Sequence, residues 1–286
     1  MNLGNNRISS IAAPSWSRSV TLAVLASAVG VPVSGAQLRP VDPIDWTVFD
    51  TTRTLAAELG VGVLTGQRAS LAGTRGDLLE AGNFRLAWRS GRIGLELTGT
   101  LLRRFSDETV VDEPFVGADP PTGEPRRDAG DIRAATLLRL TPATMPVLLA
   151  LRFGTRLPTT SEQVGLDRDR TDFFATLGAR WSTGALAVGG ESGIAINGTR
   201  VTGLDQLDVW TYSLGIEYRL GMLTSHGTIV GQNDVHRRVV RGNEDLAELR
   251  VGLRAGDRIW VGASFVYGLA DYSPGRGMLI MAGIRR

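Results

Sequence analysis

The chain has 286 residues, 43% of them apolar and 21% charged, with 36 Gly, 12 Pro and a formal charge of +2. That content is too apolar for a disordered chain, and the absence of Cys excludes disulfide frameworks, thiolate metal centres and Cys nucleophiles. All 31 basic residues are Arg, which removes Schiff-base and phosphate-loop lysine chemistry, and two His leave little room for a His-rich metal centre.

The first segment reads as an address. Residues 1–36 carry Arg7 and Arg18, no acid, and an apolar run from Val20 to Val33, followed by Ser34, Gly35 and Ala36. A basic start, a short apolar core and small residues at the cleavage positions describe a secretory signal peptide cut before Gln37. Without it the remaining chain is neutral, so the high pI indicates no nucleic-acid partner. No later apolar stretch is long enough for a membrane helix. The exported chain is therefore soluble or a membrane barrel. We read residues 37–54 as a periplasmic N-terminal segment and 55–286 as the barrel.

From residue 55 onward apolar and polar positions alternate with period two, the signature of half-buried strands. Leu55, Leu59, Val61 and Val63 share a face opposite Glu58. Phe84, Leu86 and Trp88 oppose Asn83 and Arg85; Ile93, Leu95, Leu97 and Leu101 oppose Glu96, Thr98 and Thr100. Ile132, Ala134 and Leu138 oppose Asp131 and Arg133, and Val147, Leu149, Leu151 and Phe153 oppose Arg152 and Arg156. Phe173, Leu177 and Trp181 oppose Asp172 and Arg180; Leu186, Val188 and Ile194 face away from Gly189 and Glu191. Trp210, Tyr212, Leu214, Ile216 and Tyr218 face away from Ser213 and Glu217. A weaker strand covers 223–232. Leu249, Val251 and Leu253 oppose Glu248, Arg250 and Arg254; Ile259, Val261, Phe265 and Tyr267 oppose Ser264; and a last strand covers 278–286. The total is about twelve strands, an even number in the bacterial range.

The connections alternate between tight (Ser90-Gly91, Thr141–Met145, Thr183-Gly184, Leu220-Gly221, Ala255–Asp257) and long (Thr65–Asp77, Ser106–Ala129, Pro158–Asp169, Asn197–Gln206, Asn233–Asn243, Asp271–Arg276). An up-and-down antiparallel transmembrane barrel with short periplasmic turns and long extracellular loops follows. A soluble barrel would crowd its polar face with charge, whereas here isolated charges are spaced by Gly, Ala, Thr and Ser, as a narrow hydrated lumen requires. Aromatics on the apolar face form two belts: Trp88, Trp181 and Tyr218 near the tight turns, and Phe105, Phe173, Trp210, Tyr212 and Tyr267 near the long loops. A two-residue Ser90-Gly91 turn sets Arg85 opposite Glu96, and Leu220-Gly221 sets Glu217 opposite Thr224 and Gly215 opposite His226. The expected lumen lining is Glu58, Arg85, Glu96, Asp131, Arg133, Arg152, Arg156, Asp172, Arg180, Glu191, Glu217, Glu248, Arg250 and Arg254.

The stretch Leu151–Thr160, with Leu157-Pro158-Thr159, followed by Gly165–Phe174 with Asp172 opening the next strand, resembles the outer-membrane barrel family labelled "MetA-pathway of phenol degradation", as does the opening strand Glu58–Val63. Thr160 stands where the family has Gly, and the chain ends in Arg286 where members end in an aromatic residue. The resemblance implies transport of small, often aromatic compounds, without a cofactor or resident metal, by a non-enzymatic barrel whose partners are outer-membrane lipids, the barrel-assembly machinery and an unidentified solute. Two other constellations bear on chemistry. His226 with Thr228 is similar to the His-x-Ser of outer-membrane phospholipases, but a hydroxyl nucleophile also needs an orienting third group, and Asn233 has the wrong parity. Asp167, Asp169 and Asp172 have the chemistry of a cation loop, but the interleaved Arg168 and Arg170 neutralise them. A closed structural or surface-binding barrel is the remaining alternative to a channel.

Overall fold

In the computed structural model, residues 38–50, 53–114, 118–198, 206–235 and 245–286 are described. The expected signal peptide, most of the long loops that hold residues 199–205 and 236–244, and His236 lie outside them. Thirteen strands form one sheet: β1 Arg53–Ala69, β2 Thr74–Ser90, β3 Ile93–Val110, β4 Arg126–Asp128, β5 Ile132–Arg139, β6 Val147–Leu157, β7 Asp172–Thr183, β8 Leu186–Gly198, β9 Gln206–Leu220, β10 Leu223–Asp234, β11 Leu246–Ala255, β12 Ile259–Gly268 and β13 Arg276–Arg285. β4 is a short strand inside a long loop, laid on the upper part of β3. The other strands make an antiparallel meander, and β1 closes it onto β13 from Ala56↔Arg285 to Thr65↔Arg276. Closure leaves no free edge, which hydrocarbon demands because an unpaired backbone group there costs several kcal/mol.

The wall is built inside out. Leu59, Leu95, Leu101, Leu214, Val251 and Phe265 are exposed on the outer surface, while Arg85, Glu96, Arg152, Glu191, Glu248 and Arg250 are buried inside. A water-soluble barrel would reverse this arrangement, so the apolar band faces acyl chains. Trp88, Trp181, Phe173, Trp210 and Tyr267 are exposed on the outer face, and Tyr212 and Tyr218 are half-exposed there.

Phe105 departs from this pattern. It is fully buried against Leu38, Leu64, Leu78 and Leu166. The cause is a bulge at Gly82, whose φ is +69°: the β1–β2 register slips between Gly60 and Val61, and the inward parity of β2 changes from Asn83 and Arg85 to Glu80 and Leu78. β3, paired to β2, changes with it, so Leu101 and Leu102 both face outward and Arg103 and Phe105 turn inward. A bulge resets every side chain beyond it by one position.

Two other expectations are corrected. In the tight turns the central residues are Gly91-Arg92, Gly184-Ala185 and Gly221-Met222, with Ser90↔Ile93, Thr183↔Leu186 and Leu220↔Leu223 as the closing pairs. Each Gly occupies the first central position at positive φ (+61°, +57° and +59°), the conformation a two-residue hairpin requires there. Arg85 therefore faces Thr98, Glu217 faces His226 and Gly215 faces Thr228. Parity survives because two residues of shift restore the face. Secondly, Thr65–Asp77 is no long loop: β1 and β2 continue to a turn at residues 70–73, and β3 runs on to Val110. At 17 and 18 residues these strands exceed the span of a bilayer, and their polar ends are cross-braced above it, as by Arg68 Nη2 to Asp112 at 2.7 Å.

Substituting Gly82→Ala should destabilise the barrel by about 1–2 kcal/mol from the left-handed backbone alone. The new methyl would also sit 2.8 Å from Leu101 Cδ1. The check is a lower temperature for loss of the folded, fast-migrating band when membrane-extracted protein is heated before electrophoresis.

Candidate functional site

Residues 38–50, expected in the periplasm, are enclosed by the barrel. Leu38, Arg39, Ile44, Trp46, Val48 and Phe49 are all buried. The segment climbs the lumen. Asp50, beside Arg180 and Arg285, is at the tight-turn end; Trp46 and Ile44 are at mid-height against Gly178; and Arg39 reaches Glu80 and Glu248 in the long-loop half. It contributes no strand to the sheet.

Its sequence suits a crowded interior. Pro40 and Pro43 remove two backbone donors and favour extended backbone before them. Asp45 then caps a short 3₁₀ turn, Trp46–Phe49, its carboxylate accepting from Thr47 N at 2.9 Å and Thr47 Oγ1 at 2.6 Å. The wall satisfies four further backbone groups. Glu191 accepts from Ile44 N at 2.8 Å, Arg152 donates to Asp42 O at 2.7 Å, Arg89 donates to Val48 O at 3.1 Å, and Arg285 donates to Thr47 O at 3.4 Å. Inward glycines make the space: a Cβ on Gly178 would lie 2.7 Å from the Trp46 ring, and one on Gly189 would lie 3.0 Å from its Nε1.

Ion pairs stitch segment to wall. Arg39 Nη2 donates to Glu248 at 2.8 Å, and its Nη1 lies 3.5 Å from Glu80. Arg250 Nη1 donates to Asp42 at 2.7 Å, and its Nε donates to Glu248 at 2.9 Å. Arg85 binds Glu96 and lies 4.0 Å from Asp45.

Most of the predicted lining falls into this network. Arg152 lies between Glu96 at 3.6 Å and Glu191 at 3.5 Å, and Thr176 Oγ1 donates to Glu191 at 2.6 Å. Arg180 and Arg254 share Glu217 at 3.3 and 3.5 Å, with Arg180 also reaching Asp50 at 3.0 Å. Towards the long loops, Arg156 joins Asp131, Asp167 and Asp172 at 3.1, 3.0 and 2.7 Å, and Arg168 donates to Asp172 at 2.6 Å. Glu58 and Arg133 are buried but make no ion pair or hydrogen bond among the described residues.

The reading from sequence missed Arg39, Asp42, Glu80 and Arg103, which completes the upper knot by donating to Glu80 at 3.1 Å and approaching Asp167 at 3.4 Å. Acidic loop residues Asp167 and Asp172 are occupied by guanidinium groups. His226 pairs with Ser264 Oγ at 2.6 Å across the inner wall, rather than with Thr228.

No family model matches the chain, and no curated protein matches it. Among solved structures it is similar to outer membrane phospholipase A from Escherichia coli (12% identity, TM-score 0.41, covering 81% of this chain and 89% of that one). It is also similar to OmpT of Vibrio cholerae (10%, 0.40, 82% and 96%) and to OmpF of Salmonella typhi (8%, 0.38, 82% and 97%). These likenesses are of shape alone.

Glu248→Ala leaves Arg39 buried without its main partner, and breaking a buried pair costs about 3–5 kcal/mol. The variant should expose the internal segment to chymotrypsin at Trp46 and Phe49, sites protected in the wild type, as read by mass spectrometry.

Proposed function

We propose that the protein is an outer-membrane channel for small solutes, closed by its own N-terminal segment. The carrying observation is that residues 38–50 lie buried in the lumen with no backbone–backbone hydrogen bond to the strands among the described residues, so the barrel can be complete with or without them. An apolar outer band with aromatic residues at both ends supports a bilayer setting, and a closed antiparallel barrel supports the bacterial outer membrane as that setting. Lipids of that membrane and the barrel-assembly machinery are then its partners.

Passage needs no cofactor and no catalytic group. With the segment displaced, the exposed surface would carry Arg85, Glu96, Arg152, Glu191, Glu248 and Arg250, a lining that solvates polar or charged solutes. That chemistry favours small polar cargo over the aromatic compounds implied by the motif around Leu157-Pro158-Thr159. Among the described residues the His226–Ser264 pair shows no third, orienting group of the kind a hydroxyl nucleophile needs.

The second reading is a permanently closed barrel, favoured by the complete burial of the Arg39, Glu80 and Glu248 side chains. Planar bilayers separate the two. The wild type should be mostly silent with rare conductance steps, and a variant lacking residues 38–50 should conduct continuously. If that variant shows heat-modifiable folding yet remains silent, the channel reading fails and the closed barrel stands.

A further inference from the structure

The tight-turn rim from β12 round to β3 carries an arc of exposed arginines. Arg53 opens β1, Arg92 is the second central residue of the β2–β3 turn, Arg258 precedes β12, and Arg286 follows β13. Arg286 and Leu55 exchange both backbone hydrogen bonds, at 2.8 and 2.9 Å, so Arg286 shares the outer face with Leu55. Arg53 lies on that face too, two residues before Leu55 in the same strand. The acids of this arc are already engaged, Asp50 by Arg180 and Arg285, and Asp257 by Arg219. Even with the terminal carboxylate of Arg286 counted, the rim keeps a positive excess.

Below this rim the outer wall is recessed. On β5 the outward side chains are Ala134 and Thr136, short and half-buried. Their cross-strand neighbours are large: Leu97 and Leu95 on β3, Phe153 opposite Thr136 on β6, and Phe173 one strand further on. The result is a groove of about 1000 Å³ with Ala134 and Thr136 as its floor and these four as its walls. It extends to Leu55 and Trp88, which lie directly opposite each other. That same pair lines a second recess, of about 450 Å³, together with Arg53, Ser90 and Arg286. The two recesses therefore meet at Leu55 and Trp88.

A flat apolar wall accepts any acyl chain. A groove that opens at one end beneath guanidinium groups selects a molecule with an apolar body and an anionic head. Guanidinium forks match phosphate oxygens, and a tryptophan at the junction suits the level where headgroup meets hydrocarbon. We infer that this continuous recess seats one anionic glycerophospholipid, its phosphate at Arg53 and Arg286 and an acyl chain laid over Ala134 and Thr136. The inference rests on the barrel lying in a bilayer and is independent of whether it conducts.

The test is native mass spectrometry of the full chain in detergent, titrated with phosphatidylglycerol or with phosphatidylcholine carrying the same acyl chains. The wild type should retain phosphatidylglycerol at a lipid concentration at least about fivefold lower than phosphatidylcholine. Arg53→Gln should weaken phosphatidylglycerol about fivefold and leave phosphatidylcholine unchanged. Thr136→Leu, which fills the groove floor, should weaken both lipids. Equal retention of the two lipids by the wild type overturns the site while leaving the bilayer setting intact, and retention of neither removes both. A phosphatidylglycerol preference unchanged in Arg53→Gln, or retention unchanged in Thr136→Leu, also overturns it. If Arg53→Gln shows no heat-modifiable folding, Arg286→Gln, beyond the last strand, is read in its place with the same expectation.

Discussion

Arg39 and Arg250 both grip Glu248 inside a wall whose outer face is hydrocarbon-like, and the rest of the molecule follows from that pairing. A barrel in lipid must put its apolar residues outside, so every charge it keeps is forced inward and away from bulk water. Stripping an ion of water costs several kcal/mol even after relaxation. The lumen recovers that cost by setting most of its guanidinium groups against a carboxylate or a bare carbonyl. The strands alone leave this accounting incomplete. Glu248, Glu191 and Arg152 find partners in Arg39, Ile44 N and Asp42 O, groups that the N-terminal segment carries in. The segment is thus a counter-ion to the wall as much as an obstruction in it.

The use of arginine throughout fits this role. A guanidinium stays charged at any accessible pH and presents five donors in a planar fork, so one side chain can serve several acceptors. Arg156 does so with Asp131, Asp167 and Asp172, and Arg152 does so with Glu96, Glu191 and a backbone carbonyl. A lysine ammonium could not span such separations from a fixed position on a strand. The network is consequently three-dimensional, linking strands that are not neighbours in the sheet.

Sequence pattern revealed the wall and concealed its contents, for a physical reason in each case. Period-two alternation is enforced at nearly every strand position by the two solvents, so the sides of Arg85, Glu96, Arg152, Glu191 and Arg250 could be read directly. The three two-residue turns lie one residue further along the chain than hydropathy suggests because the positive φ belongs to the first central residue, a detail of geometry invisible to it. Phe105 was misassigned because Gly82 bulges β2; an isolated glycine within a strand pattern was the available signal. In the segment 38–50 alternation lasts only from Ile44 to Val48, and Pro40 and Pro43 interrupt what precedes it. Ile44, Trp46, Val48 and Phe49 are apolar enough to demand burial, yet the run is too short to claim a strand, and a single 3₁₀ turn, Trp46–Phe49, is all that forms. The signal for their location was distributed among the wall's inward glycines, Gly178 and Gly189, which have meaning only once something fills the space they leave.

What holds the segment also determines how it can leave. A plug that added a strand to the sheet would have to break ladder hydrogen bonds to move, and in lipid those bonds have no substitute. Here the barrel ladders run from β1 through β13 without it. Its contacts are ion pairs, side-chain to carbonyl bonds and the packing of Trp46 over two glycines. Each can be exchanged for water as the lumen hydrates from the tight-turn end, where Asp50 pairs with the half-buried Arg180 and Arg285. Release can therefore proceed contact by contact up the lumen, ending at the fully buried Arg39–Glu248 pair, while the membrane-facing wall remains hydrogen-bonded throughout. In the channel reading, the barrier to opening is then set by the last and driest of those pairs, not by the stability of the barrel.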